Sequence, residues 1–143
     1  MQIKQLSIFV ENKSGRLAEI AALIGEHGID IRALSIADTS DFGILRLIVD
    51  KPDQAVEVLK TAGLAVTLTH VIAVGIPDTP GAFAKAIAVL SGAQVTIEYM
   101  YAFLSRTEGN AFVILRLQDN EKGSQVLGEN GFTVLDSETI YHM

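Results

Sequence analysis

Residues 3–10 alternate between apolar and polar positions, with Leu6, Ile8 and Val10 on one face, the two-residue period of a strand. The period then changes. Leu17, Ile20, Ala21 and Ile24 recur at helical spacing across 15–26. Gly28 ends that helix, because glycine accepts the left-handed conformation that closes a helix. Two strands are expected next, at 31–37 and 43–49, joined through the polar cluster Asp38-Thr39-Ser40-Asp41. Pro52 suits the first turn of a second helix, whose apolar face is Ala55, Val56, Leu59 and Ala62. Gly63 stops it, and 64–68 reads as a short last strand.

The pattern then repeats. At an offset of 66, Asn12-Lys13-Ser14-Gly15-Arg16-Leu17-Ala18 lies over Asp78-Thr79-Pro80-Gly81-Ala82-Phe83-Ala84, and Ile29-Asp30-Ile31 lies over Val95-Thr96-Ile97. Further on the offset grows to 70, where Ile44-Leu45-Arg46-Leu47 matches Ile114-Leu115-Arg116-Leu117. The added residues lengthen a hairpin around Ser105–Asn110. The second half should therefore hold a strand at 71–76, a helix at 81–91, strands at 95–104 and 111–117, a helix at 120–129 and a strand at 132–136. Each half reads βαββαβ, the ferredoxin-like order. The expected fold is α+β, with a boundary between 1–69 and 70–143. Right-handed crossovers place both helices of a half on one face of an antiparallel sheet. The other face is also rich in apolar residues, so something must cover it. A homodimer or higher oligomer with sheets packed together is expected. The alternative is that the two halves cover each other within one chain.

Composition narrows the partners. Net charge is −6, and neither half offers a basic surface: 1–68 carries 7 Lys/Arg against 9 Asp/Glu, and 69–143 carries 4 against 8. Nucleic-acid binding is disfavoured. Cysteine is absent, which removes disulfides, thiolate nucleophiles and zinc-thiolate sites. No stretch is long and apolar enough for a membrane span. Met1-Gln2-Ile3-Lys4 leads straight into a strand pattern without a signal segment, so the expected location is the cytoplasm.

Asp78-Thr79-Pro80-Gly81-Ala82-Phe83, between an apolar strand and a helix, resembles the ACT-domain signature, and Asn12-Lys13-Ser14-Gly15-Arg16-Leu17 is a looser copy. Gly28-Ile29-Asp30-Ile31 is similar to the family's passage from its first helix into its second strand, with Asp30 where an Asn often stands. The resemblance covers nearly the whole chain as two copies. It implies a stand-alone ACT pair that binds a free amino acid, with sheets side by side in a shared eight-stranded sheet. It implies a regulatory protein rather than an enzyme, with a biosynthetic enzyme as a possible partner. The other reading is a module for structural pairing that binds no ligand and regulates a partner enzyme.

The implied ligand site has a physical rationale. A carboxylate wants N–H donors, and both turns deliver backbone amides at a helix N-terminus, where the macrodipole favours an anion. Gly15 and Gly81 let the backbone approach closely. An ammonium wants acceptors, which Asn12, Asp78, Asp30 or a strand-edge carbonyl supply. The candidate ligand-binding residues are Asn12, Lys13, Ser14, Gly15, Arg16, Leu17, Asp30, Ile31, Asp78, Thr79, Gly81, Ala82, Phe83 and Thr96. They should meet where the second strand of one half runs beside the first turn of the other. The first turn is favoured, because Lys13, Ser14 and Arg16 are otherwise unexplained. The plainer reading is helix capping: Asp78 or Thr79 with Pro80 at the first helical position, and Asn12 or Ser14 at the other turn.

Other signals lead nowhere chemical. Asp41-Phe42-Gly43 spells a kinase metal motif, but the rest of the kinase set is missing, so it reads as a turn. His27, His70 and His142 lack metal-ligand spacing, and His27 reads as a helix C-terminal residue. No cofactor, metal or catalytic residue is expected. Tyr99, Tyr101 and Phe103 share one strand face and read as packing.

Overall fold

The computed structural model describes residues 2–11, 14–38, 42–104 and 109–143. Its elements run β1 (Ile3–Glu11), α1 (Arg16–Glu26), β2 (Ile31–Asp38), β3 (Phe42–Val49), α2 (Pro52–Thr61), β4 (Val66–Pro77), α3 (Ala82–Gly92), β5 (Ile97–Ala102), β6 (Asn110–Leu117), α4 (Asn120–Glu129), β7 (Thr133–Leu135) and α5 (Ser137–Tyr141). The periodicity located the first four helices to within a residue or two. Pro52 does open α2, and His27 caps α1 with its Nδ1 2.9 Å from the Leu23 carbonyl. The turn clusters at 39–41 and 105–108 lie outside the described residues.

Among the described residues the strands form one antiparallel sheet in the order β2-β3-β1-β4-β6-β5, with β7 also against β4. The strands expected at 64–68 and 71–76 are a single 12-residue strand. Only Thr69 and His70 separate the two apolar runs, and neither residue type breaks a strand. The eight strands implied by two separate repeats therefore become seven. β4 pairs with β1 through Val66–Val71 and with β6 through Ile72–Pro77, so it closes the first repeat and opens the second. The boundary expected between 69 and 70 falls inside it.

Alternation decides which side each residue faces. Leu6, Ile8, Leu45, Leu47 and Val49 bury against α1 and α2 through Ile20, Ile24, Ala55 and Leu59. Ile72, Val74, Ile76, Leu115 and Leu117 do the same against α3 and α4 through Ala86, Leu90 and Leu127. Intervening residues face the other way, and there the sheet curls onto itself. Ala33 in β2 forms an antiparallel bridge with Phe103, and the Leu104 N–H donates to the Arg32 carbonyl at 3.3 Å. A third cluster fills this inner side: Ile3, Ile48, Val71, Ala73, Phe112, Ile114 and Ile140. The two halves thus cover much of each other's inner face within one chain. The rest of that cover comes from α5, which the sequence reading did not foresee. Asp136 caps α5 by accepting the Thr139 N–H at 2.7 Å, which holds its carboxyl below the usual carboxylate range.

A polar tie sits beside this cluster. Gln5 is fully buried. Its Oε1 accepts the Tyr101 hydroxyl at 2.6 Å, and its Nε2 donates to the Tyr99 hydroxyl at 2.7 Å and to Ser7 Oγ at 3.1 Å. The Arg46 guanidinium lies 3.7 Å from the Tyr99 ring centroid. Burial raises the Tyr101 hydroxyl pKa far above its ordinary value, more than nearby Arg46 lowers it. Phe103 belongs to the inner cluster, Tyr101 packs against it, and Tyr99 stacks on Tyr101.

Candidate functional site

The two turns flagged by the repeat are built alike. Gly15 precedes α1 with φ 87° and ψ −13°, and Gly81 precedes α3 with φ 86° and ψ −12°. An L side chain disfavours that left-handed geometry, which explains the glycine at both positions. Each glycine carbonyl accepts the first helical bond, from Glu19 N–H at 3.0 Å and Lys85 N–H at 3.1 Å. Neither cap residue has a side-chain oxygen to offer the first-turn amides. The helices that start at Asp119 and Asp136 differ, since both carboxylates accept an amide of their own helix. The capping read for Asp78, Thr79 or Ser14 is therefore corrected: a left-handed glycine stands at both caps, and Pro80 lies one residue before the cap rather than inside the helix.

The second turn is held by backbone hydrogen bonds, one of them to the residue before β6. Asp78 N–H donates to the Gly109 carbonyl at 2.9 Å, Thr79 N–H to Pro77 at 2.9 Å, and Ala82 N–H to Thr79 at 3.2 Å. Asp78, Thr79 and Gly81 are exposed, and Ala82 is buried against the core. Phe83 presents its ring to solvent at 47% exposure. In the first turn Ser14 and Gly15 are exposed, and Leu17, the counterpart of Phe83, is 43% exposed. Arg16 pairs with Glu19 at 3.1 Å and leaves its buried Nε without a partner among the described residues. It borders a shallow cleft with Glu19, Leu23, Ala62 and Leu64. Asn12 and Lys13 lie outside the described residues.

The strand-two candidates sit apart from the turns. Asp30 N–H donates to Asp50 Oδ1 at 2.9 Å, its carbonyl accepts the Asp50 N–H at 3.1 Å, and its carboxylate pairs with Arg32 at 2.8 Å. Ile31 packs against the first core cluster. Thr96 is exposed and its carbonyl accepts the Gln118 N–H at 2.9 Å. Strand register fixes which groups share an end of the sheet. Ala33, Phe103, Phe112 and Gly75 form one row across β2, β5, β6 and β4. From that row, Asp30 and Asp78 both lie three residues away in the same direction. Asp30, Ile31 and the 78–82 turn thus share one end, with β5 and β6 between them. Thr96 and the 14–16 turn share the other end.

Sequence reasoning missed Arg32. Its side chain is 17% exposed, its guanidinium carbon is 5.9 Å from the Phe103 ring centroid, and its Nε is buried without a partner among the described residues. The available signal was Asp30 and Arg32, two apart on one strand and so on the same face. Among the described residues no group of three or more His, Asp or Glu is placed to hold a metal, and no helix is long and apolar enough to cross a membrane.

Comparison with known proteins agrees with this layout. Residues 1–143 match the family described as an ACT domain pair. The crystal structure of protein BT0572 from Bacteroides thetaiotaomicron is 42% identical over 100% of this chain and 98% of that one, with a TM-score of 0.94. The ligand-free regulatory subunit of aspartate kinase from Thermus thermophilus is 16% identical over 90% of this chain and 92% of its own, with a TM-score of 0.65. The corresponding Thermus flavus subunit gives 18%, 88%, 90% and 0.62. At these last identities the likeness is one of fold. No curated protein is significantly similar.

Proposed function

The chain belongs to the ACT domain pair family, and from that premise we propose that it is a regulatory protein that binds a free amino acid at one or both of its glycine turns. The supporting observation is the matched pair of left-handed glycine caps at α1 and α3, neither of which gives its helix a side-chain cap. Amides at a helix N-terminus, with the macrodipole behind them, suit a carboxylate. Gly81, Thr79 and Asp78 with Phe83 form one candidate surface, and Ser14, Gly15, Arg16 and Leu17 form the other; Asn12 and Lys13, expected with them, lie outside the described residues. Asp30, Ile31 and Arg32 lie toward the same end of the sheet as the 78–82 turn, with β5 and β6 between, and Thr96 lies toward the end of the first turn. The reading treats 1–69 and 70–143 as two units, places the protein in the cytoplasm, assigns it no catalytic step, includes self-association, and gives it a biosynthetic enzyme as partner.

A thermal-shift screen of the purified chain against the standard amino acids tests this. A ligand that binds only the native state at about 100 times its dissociation constant adds ~2.7 kcal/mol, a readily visible shift. The shift should shrink in Gly15→Val or Gly81→Val, each compared with its own ligand-free baseline. No shift with any standard amino acid would sink the reading and leave a pairing module that binds no amino acid.

A further inference from the structure

A shallow groove runs along the helical side of the first repeat, between α1 and α2. Two adjoining hollows of about 350 and 310 Å³ form it, and they share Leu23 and Ala62 as walls. Leu64 adds to the apolar floor of the first hollow and Val58 to that of the second. Leu23, Val58 and Leu64 are half-buried, so each keeps part of its apolar surface in water. The edges are acidic: Glu19 and Glu26 border the first hollow and Glu57 the second. Glu19 is tied to Arg16, but Glu26 and Glu57 are exposed and have no ion-pair partner among the described residues. Ile20, Ile24, Ala55 and Leu59 complete the core beneath, so folding calls for neither the carboxylates nor the open width of the groove. The second repeat lacks these features. At the offset of 66, Glu19, Leu23 and Glu26 become Lys85, Val89 and Gly92. At an offset of 68, Glu57, Thr61, Ala62 and Leu64 become Gln125, Glu129, Asn130 and Phe132. Asn130 Nδ2 donates to the Val126 carbonyl at 2.8 Å, and the Phe132 ring packs on the second core. Where Asn130 ties its amide down on α4, Ala62 leaves a hollow.

Shape and charge together say what fits. α1 has 11 residues, roughly 16 Å of helix, so the groove beside it matches about three turns of a docked helix. An apolar groove of that length takes the apolar face of an amphipathic helix, with anchors three and four residues apart. Carboxylates along its edges suit Lys or Arg flanking that apolar face. A second copy of this chain supplies no such helix, because none of its five helices carries more than one Lys or Arg. We propose that the groove between α1 and α2 docks a basic amphipathic helix of a partner protein. The inference rests on the partner enzyme proposed above, and gives that partner a chemistry and a place on the first repeat. α1 has Gly15 at its start and forms one wall of the groove along its length, so the candidate ligand turn and the docking groove share one helix.

Fluorescence anisotropy with the whole chain and a fluorescein-labelled model peptide, built of Leu and Lys at helical spacing, tests it. The chain is expected to bind this peptide and to ignore its counterpart with Glu in place of Lys. Glu26→Lys combined with Glu57→Lys is expected to raise the dissociation constant by at least about tenfold. Both side chains are exposed, so the far-ultraviolet spectrum of the folded chain should be kept. Ala62→Asn, which copies the second repeat, is expected to weaken binding without any change of charge. The same charge reversal at the exposed Glu121 and Glu129 of the second repeat is expected to leave binding unchanged. A chain that binds neither peptide, or that is weakened equally by the two pairs of reversals, overturns this surface. A thermal shift with an amino acid in that same chain would then leave the amino-acid reading standing. Groove-dependent peptide binding with no amino-acid shift supports the docking surface while the amino-acid reading falls.

Discussion

The second repeat carries a helix of its own, α5, against its inner face and the first carries none among the described residues, although both are built from the same order of elements. The cause is position in the chain rather than the repeat's own pattern. The last strand of the first repeat runs on as the first strand of the second, so no residues remain to fold back. The last strand of the second repeat is three residues long, and the chain beyond it turns into α5 and places Ile140 in the inner cluster. A duplicated sequence thus gives duplicated secondary structure but not duplicated cover.

The comparison can be broken most strongly at α5. Ile140→Ala should cost ~2–5 kcal/mol, the usual range for truncating a buried aliphatic, and should expose the second inner face. Denaturant unfolding reads the loss. Next comes the polar tie. Gln5 corresponds to the apolar Val71 in the second repeat, so the amide is a feature of one repeat alone. Gln5→Leu removes the amide partner of the Tyr99 and Tyr101 hydroxyls, and a loss of about 1–3 kcal/mol is expected in the same assay.

Alkali probes the same tie. Burial raises the Tyr101 pKa above its ordinary 10.0. The stability from that shift is fully present below pH 10 and is lost as pH rises from there toward the folded value, because the unfolded chain releases the proton first. Tyr101 contributes a slope of about −1.4 kcal/mol per pH unit, and Tyr101→Phe should make the alkaline loss shallower by that share, with the raised Tyr141 hydroxyl supplying what remains. The smallest effect is expected at Phe9. Phe9→Ser should change the stability of the isolated monomer by no more than about 0.5 kcal/mol, since the ring is more than half exposed. A loss comparable to that of Ile140→Ala would mean that the first inner face is already closed.

Most of the framework was legible because it is periodic. α1 and α2 each show an apolar helical face, the repeat carried that reading to α3 and α4, and the match between residues 12–18 and 78–84 located both turns. What was not legible depends on contacts far apart in sequence. α5 has one fully buried anchor, Ile140, in five residues, too few to show a period. Gln5 looks like any polar position on a half-exposed strand until β5 is folded across it. The caps were misread for a different reason: Asp78-Thr79-Pro80 carries strong capping chemistry, yet the chain tightens through Thr79 and Ala82 and puts the left-handed glycine at the cap instead. Arg32 was overlooked because strand patterning attends to apolar residues, and its value lies in the Asp30 beside it.

β4 has one further consequence. Two domains on a flexible tether swivel independently and survive being cut apart. These two repeats share a strand of 12 residues, each half hydrogen-bonded to a different neighbour. A chain severed between 69 and 70 would leave each fragment with a truncated edge strand in search of a mate.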